Sequence, residues 1–318
     1  MIGYIILGVV VLFLLLEIAV AVYFFNYAIK PHPYDPYKEA KEHPEKDKTE
    51  ELALYEAAKE GLSHYTYDEM ELLSRDGLRL KARYYHANAS RGVTVVMMHG
   101  YNNNWFYQFG YDALFYLSHG CDVLLPDQRA CGESEGKYIT FGVYESEDCA
   151  DWCYRVNEEY KPKYIILHGI SLGGATVCCA FAEKLPDNVA GAIEDCGFSV
   201  PYDQFRHNLK TGFGIPHFLV LPATDLYCRL KAGFGFRQKR AETAIRQCRV
   251  PLLVIHGGND TFVPTWMGKK IYDSAVCDKE LLIVDGAEHA RAFRDDGEKC
   301  QDAAARLIYK ATGIDINS

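Results

Sequence analysis

The residues of this chain best placed to do chemistry are a serine, an aspartate and a histidine. Gly169-Ile170-Ser171-Leu172-Gly173 follows an apolar run, YIIL at 164–167, and opens a helix-like run, LGGATVCC at 172–179. A sharp turn from strand to helix lifts its serine above a sheet, and glycines let the backbone crowd together there. A hydroxyl at a helix N-terminus also gains from the positive end of the helix dipole. It stays a weak nucleophile until a base takes its proton. Among the 11 histidines His289 has the best position, in Glu288-His289-Ala290 just past the apolar run ELLIV at 280–284. Asp260, in Gly257-Gly258-Asn259-Asp260, comes just past VPLLVI at 250–255 and can orient that imidazole. Glu194 and Asp195, at the end of the run starting at Val189, are competing acids. Together such groups attack a carbonyl, and the oxyanion then formed needs two preorganised donors. The Leu172 amide, directly after the serine, is one. The Tyr101 amide, in the loop after VTVVMM at 93–98, is the other.

Groups so far apart in sequence need a sheet to gather them. Residues 64–74 and 78–86 read as a hairpin around Arg75-Asp76-Gly77. Short continuous apolar runs at 93–98, 121–126, 164–167, 189–194, 250–255 and 280–284 read as buried strands. Helical spacing separates them at 105–118, 141–160, 172–185 and 265–275, and a last helix is expected at 301–311. Strand alternating with helix predicts an α/β fold, a mostly parallel sheet with helices on both faces. Ligands then bind beyond the carboxyl ends of the strands, where Ser171, Asp260 and His289 all fall. Residues 198–247, rich in aromatic and basic side chains, are too long for a simple crossover and predict a small helical lid.

Ahead of this body, residues 2–25 are apolar except for Glu17. About 20 helical residues cross a bilayer core, so residues 1–28 are expected to form an uncleaved transmembrane anchor, with Tyr23, Phe24, Phe25 and Tyr27 as an aromatic belt. Lys30, Lys38 and Lys41 follow the span and no lysine or arginine precedes it, which places the rest of the chain on the cytoplasmic side. Residues 29–62 are expected to be a proline-rich polar stalk followed by a helix with Thr49 as its cap, and 63–318 the main domain.

The 318 residues carry 34 lysines and arginines against 43 aspartates and glutamates, a net charge of −9. That balance excludes binding of polyanions such as nucleic acid by bulk charge. The 11 cysteines form no C-x-x-C pair, and the histidines lack H-E-x-x-H spacing. Neither a metal nor a cofactor is expected, and the cysteines read as small buried apolar groups. His99, His168 and His256 read as packed side chains, Asp127, Arg129 and Glu133 as a turn network, and the asparagines at 102–104 as helix caps.

These motifs together, MHGY at 98–101, PDQRACGESEG at 126–136, GISLGG at 169–174, GGNDTFVP at 257–264 and GAEHA at 286–290, resemble those of the α/β-hydrolase fold serine hydrolases. The resemblance covers roughly 64–312 and is nearest to membrane-anchored bacterial members of the esterase and serine-peptidase-like branch. Ser171, Asp260 and His289 come in the chain order of that fold. One departure stands out: Ala130-Cys131 occupies the place of the family's first glycine in D-x-R-G-x-G, which predicts an altered loop there. The resemblance implies hydrolysis of a small-molecule carboxylic ester through an acyl-enzyme. Peptidase or amidase activity, or thioester and acyl transfer, uses the same triad, and a silent binding module is the remaining alternative. In the lid, acids (Asp203, Asp225, Glu242) are fewer than bases (Arg206, Lys210, Arg229, Lys231, Arg237), which points away from substrates with a free amine. The oligomeric state is not legible.

Overall fold

The computed structural model describes residues 1–45 and 47–318; Lys46, within the expected stalk, lies outside the described residues. Eight strands form one sheet: β1 (Tyr67–Leu73), β2 (Arg79–Tyr85), β3 (Val93–Met98), β4 (Cys121–Pro126), β5 (Tyr164–Ile170), β6 (Val189–Asp195), β7 (Leu252–Gly257) and β8 (Lys279–Val284). Their order is β1-β2-β4-β3-β5-β6-β7-β8. The β1–β2 hairpin and the β2–β4 pair are antiparallel, and β4 through β8 run parallel. The parallel strands β3, β4 and β7 are buried along their whole length, as continuous apolar runs require. Helices cover both faces, each over its own apolar core. One core holds Trp152, Cys178 and Met267; the other holds Phe109, Tyr116 and Ile308. All 11 cysteines are free thiols, and all but the half-buried Cys277 are buried.

The helices depart from the sequence reading in instructive ways. The helix expected at 105–118 is two, Trp105–Phe109 and Asp112–Ser118, broken at Gly110-Tyr111. Glycine there has little intrinsic preference for continuing a helix. The helix after Ser171 ends at Ala180 instead of 185, in a turn preceding Pro186, whose ring disfavours helical backbone at the residue before it. The last helix is longer than expected, Gly297–Thr312. Thr49 is not the cap of its helix: it is the first helical residue after Lys48, and the Asp47 carboxylate accepts its amide at 3.0 Å. The expected stalk is not extended throughout. Pro36–Glu42 is a helix, capped by Asp35 and started by a proline, which suits the first helical position. The chain just before it lies on the Asn102 loop, with His32 and Tyr34 amides donating to Asn102 at 2.8 and 2.9 Å.

The N-terminal helix Ile2–Ala28 is apolar and long enough to be a candidate membrane span. Most of it is exposed, but Ala21, Phe25 and Ile29 are buried at four-residue spacing. That stripe seats its last two turns on the body, chiefly against the helix Leu221–Ala232. Between β6 and β7 the chain makes the excursion expected as a lid, comprising Pro201–Asn208, Leu209–Phe213, His217–Leu219, Leu221–Ala232 and Ala241–Ala244.

Candidate active site

β5 ends at Ile170 and the helix Leu172–Ala180 begins one residue later, so Ser171 alone makes the turn. Its backbone has φ +57° and ψ −115°. That is a strained conformation for a residue with a side chain, of a kind that persists only where surroundings impose it. The surroundings are tight. A Cβ on Gly169 would stand 2.1 Å from the Gly173 carbonyl oxygen, and one on Gly173 would stand 1.7 Å from that of Met98. The Ser171 amide donates to the Asp195 carbonyl at 2.7 Å, which ties the turn to β6.

Asp260 and His289 come from the ends of β7 and β8, beyond β6. The loop after β7 is tied to the loop after β8, with Gly258 and Asn259 amides donating to Val284 and Ala287 carbonyls at 2.8 and 2.9 Å. His289 Nδ1 lies 2.7 Å from Asp260 Oδ2, and its Nε2 lies 2.9 Å from Ser171 Oγ. With the ring proton on Nδ1, the imidazole donates to the carboxylate and accepts from the hydroxyl. The Phe262 ring packs on the imidazole at 5.0 Å. Asp260 Oδ1 accepts the Phe262 and Val263 amides at 3.0 and 2.9 Å. Burial opposes ionisation of Asp260, but hydrogen bonds with His256 and His289 outweigh it and hold the carboxyl down at about 2.

His256 carries a signal the sequence reading missed. It is buried, as expected, but its Nε2 sits 2.9 Å from the Val263 carbonyl and 3.4 Å from Asp260 Oδ2. Asp260 Oδ2 thus faces two imidazoles, His289 hydrogen-bonded to it and His256 at 3.4 Å. The competing acids do not take the place of Asp260: neither Glu194 nor Asp195 is hydrogen-bonded to His289. Burial pushes their carboxyls up to about 8 and about 7.

The Tyr101 and Leu172 amides take no hydrogen-bond partner among the described residues. Gly100 brings the Tyr101 loop against the serine, since a Cβ there would stand 3.6 Å from that of Ser171. Beneath it His99 is structural, its Nε2 accepting the Gln128 amide at 2.8 Å. Asn104 caps the following helix through the Tyr107 amide at 2.8 Å, whereas Asn102 and Asn103 bond within and beyond the loop. His168 is buried against the Tyr116 hydroxyl at 2.9 Å, and burial pushes it down to about 3. Asp127 accepts the Trp105 and Glu133 amides, and buried Arg129 pairs with Asp148 at 2.7 Å and Asp76 at 3.0 Å. Ala130, the departure from the family glycine, keeps a glycine-like φ of +62°.

Ser171 opens onto two spaces. One, about 480 Å³, is apolar and includes Phe141, Phe198, Phe205 and Val263 in its wall. The other, about 780 Å³, is more polar: Glu51, Asn103, Gln108, Asp195 and Arg291 line it together with Leu54, Phe106 and Phe293. Both lie in the size range of small-molecule sites, about 300–1,000 Å³.

A family model described as the alpha/beta hydrolase fold matches residues 93–219. The protein YqkD of Bacillus subtilis is 26% identical over 256 residues, 78% of this chain and 83% of that protein. The membrane protein YNL320W of Saccharomyces cerevisiae is 24% identical over 211 residues, 65% of this chain and 68% of its own. Among solved structures, the esterase Pf2001 of Pyrococcus furiosus superposes with a TM-score of 0.66 at 22% identity, over 80% of this chain and 94% of that one. The sheet order, the turn at Ser171 and these matches lead to one assignment: the chain has the α/β-hydrolase fold.

Proposed function

We propose that this protein is a serine hydrolase that cleaves a carboxylic ester through an acyl-enzyme. The observation that carries the reading is the unbroken line from Ser171 Oγ through the His289 ring to Asp260, at 2.9 and 2.7 Å. In this reading Ser171 Oγ attacks the ester carbonyl while His289 Nε2 takes its proton. The tetrahedral oxyanion is met by the Tyr101 and Leu172 amides. As the C–O bond to the leaving alcohol breaks, His289 returns the proton to that oxygen. Water then enters, gives its proton to His289, and releases the acid from Ser171. Asp260, ionised at any working pH, keeps the ring in its Nδ1–H form and stabilises its charged state.

An apolar space on one side of Ser171 and a polar one on the other suit an acyl group and a polar leaving group. A second reading is hydrolysis of an amide, for which the same three side chains serve. The N-terminal helix is assigned as a membrane anchor over residues 1–28, with the hydrolase body over 63–318. A panel of esters and matched amides, assayed on the full chain and on Ser171→Ala, separates the readings. Ester turnover lost in the variant is expected; turnover of amides alone would favour the second.

A further inference from the structure

The N-terminal helix does more than precede the hydrolase body. Phe24, Tyr27, Ala28 and Ile29 are part of the wall of the apolar space that opens on Ser171. Phe205 and Phe213 of the excursion between β6 and β7 share that wall. The Phe213 ring meets those of Phe24 and Tyr27 at 5.2 and 5.5 Å. Two of these three rings are at the surface, Tyr27 being 54% and Phe213 39% exposed. They therefore form a rim rather than a floor. The seat is firm: Phe25 and Ile29 are buried, Phe25 packs edge-on against Tyr138 and Tyr227, and the Tyr101 hydroxyl donates to the Ala28 carbonyl at 2.9 Å.

The length of the helix says where this rim lies. A helix rises about 1.5 Å per residue, so some 20 residues cross the ~30 Å hydrocarbon core of a bilayer. The exposed apolar stretch of this helix ends near residue 20, and Phe24 and Tyr27 follow within two turns. With that stretch in a bilayer, the mouth of the apolar space lies at the membrane surface. Leu226 and Leu230, one turn apart and 59% and 75% exposed, lie on the helix that packs against the N-terminal one. A simple tether would hold the body near the bilayer without shaping its pocket. Here the N-terminal helix is itself a wall of the pocket.

We propose, resting on the serine-hydrolase reading above, that the substrate is a membrane-resident ester with one acyl chain and a polar leaving group. The chain slides from the bilayer along Phe24 and Tyr27 into the apolar space, and the head lies in the polar space beyond Ser171. The route spares the acyl methylenes from water, whose exposure would otherwise raise the barrier to extraction. A methylene is close in size to a water's ~30 Å³ share of the liquid, so 480 Å³ holds on the order of ten or more of them. The chemistry balances as a hydrolysis: the acyl C–O bond breaks, water supplies the new oxygen to the acid and a proton to the leaving alcohol.

The test uses the full chain in phospholipid nanodiscs, with 1-oleoylglycerol in the bilayer and water-soluble butyryl p-nitrophenyl ester as probes. Ala28→Trp fills the space from the helix side. Gly212→Phe narrows it at an exposed position where no atom lies within 4 Å of an added Cβ, so that variant keeps its fold. The expected result is Ser171-dependent release of oleate, with each variant lowering the oleoyl-to-butyryl ratio of kcat/KM at least tenfold. Butyryl turnover without oleate release, or an unchanged ratio in folded Gly212→Phe, overturns the proposal and leaves the serine hydrolase standing. Loss of both activities in the unaltered chain, with no labelling of Ser171 by a fluorophosphonate, brings down the serine hydrolase itself.

Discussion

Ser171, His289 and Asp260 form one unit, so their removal should not add up as three separate losses. Ser171→Ala is expected to lower kcat by about three to six orders of magnitude, leaving only what binding and the oxyanion donors supply. Asp260→Asn keeps the shape but lets the imidazole carry its proton on the wrong nitrogen, and should cost on the order of 10⁴ in kcat. Steady-state kinetics on a soluble ester check both, and a near-normal rate in either variant would contradict the assigned roles. His256 belongs in the same account although nothing in its local sequence sets it apart. Its Nε2 faces Asp260 at 3.4 Å only because β7 ends where the Asp260 loop folds back. That is a long-range consequence of the loop, and a one-dimensional reading sees just a histidine beside glycine.

At the scale of elements, the turn at Ser171 depends on a close crossing of backbones. Gly173→Ala would press a methyl into the Met98 carbonyl of β3, and neither partner can retreat without moving the sheet. Its expected effect is a fall in Tm of about 10 °C together with loss of activity, read by thermal denaturation. Arg129 and Asp148, both almost fully buried, pin the loop after β4 to the helix Glu145–Glu159. Asp148→Ala leaves the buried guanidinium only its half-exposed partner Asp76 and should cost about 3 kcal/mol in denaturant unfolding. Most of the elements were legible in the sequence, because buried parallel strands are uninterrupted apolar runs and Ser171, Asp260 and His289 each follow one. What was not legible depends on tertiary contact. The Gly110 break, the short helix Pro36–Glu42 and the packing of residues 21–29 onto the body leave only weak local marks. Hydrophobicity is the same signal for a lipid-facing turn as for a pocket wall, so Phe24 reads as an anchor residue until the fold brings Phe213 beside it.

For the whole molecule, the buried carboxyls set the pH dependence of stability. An unfolded chain gives up carboxyl protons near pH 4. In the folded protein burial raises Asp195 to about 7 and Glu194 to about 8, so the native state binds protons that the unfolded state has lost. Their stabilising contribution is full below about pH 4 and is lost as pH rises through 7 and 8. Asp260, held down at about 2, has the opposite sign and matters only in strong acid. Tm should therefore fall by several degrees from pH 5 to pH 9, and Glu194→Gln should flatten that slope. A Tm that rises over this interval would contradict the assignment.

The seat of Ala21, Phe25 and Ile29 also makes residues 21–29 part of the body, so removal of the first 29 residues uncovers that seat. A chain lacking them is expected to expose an apolar face and to aggregate, whereas a mere tether could be cut away without effect. The central claim is that Ser171 is the nucleophile of an ester hydrolase, and covalent labelling tests it most directly. The full chain in detergent should take up one fluorophosphonate per molecule, located on Ser171 by peptide mass spectrometry, with ester hydrolysis falling in step with labelling. An adduct on another residue, or undiminished hydrolysis in Ser171→Ala, would contradict it.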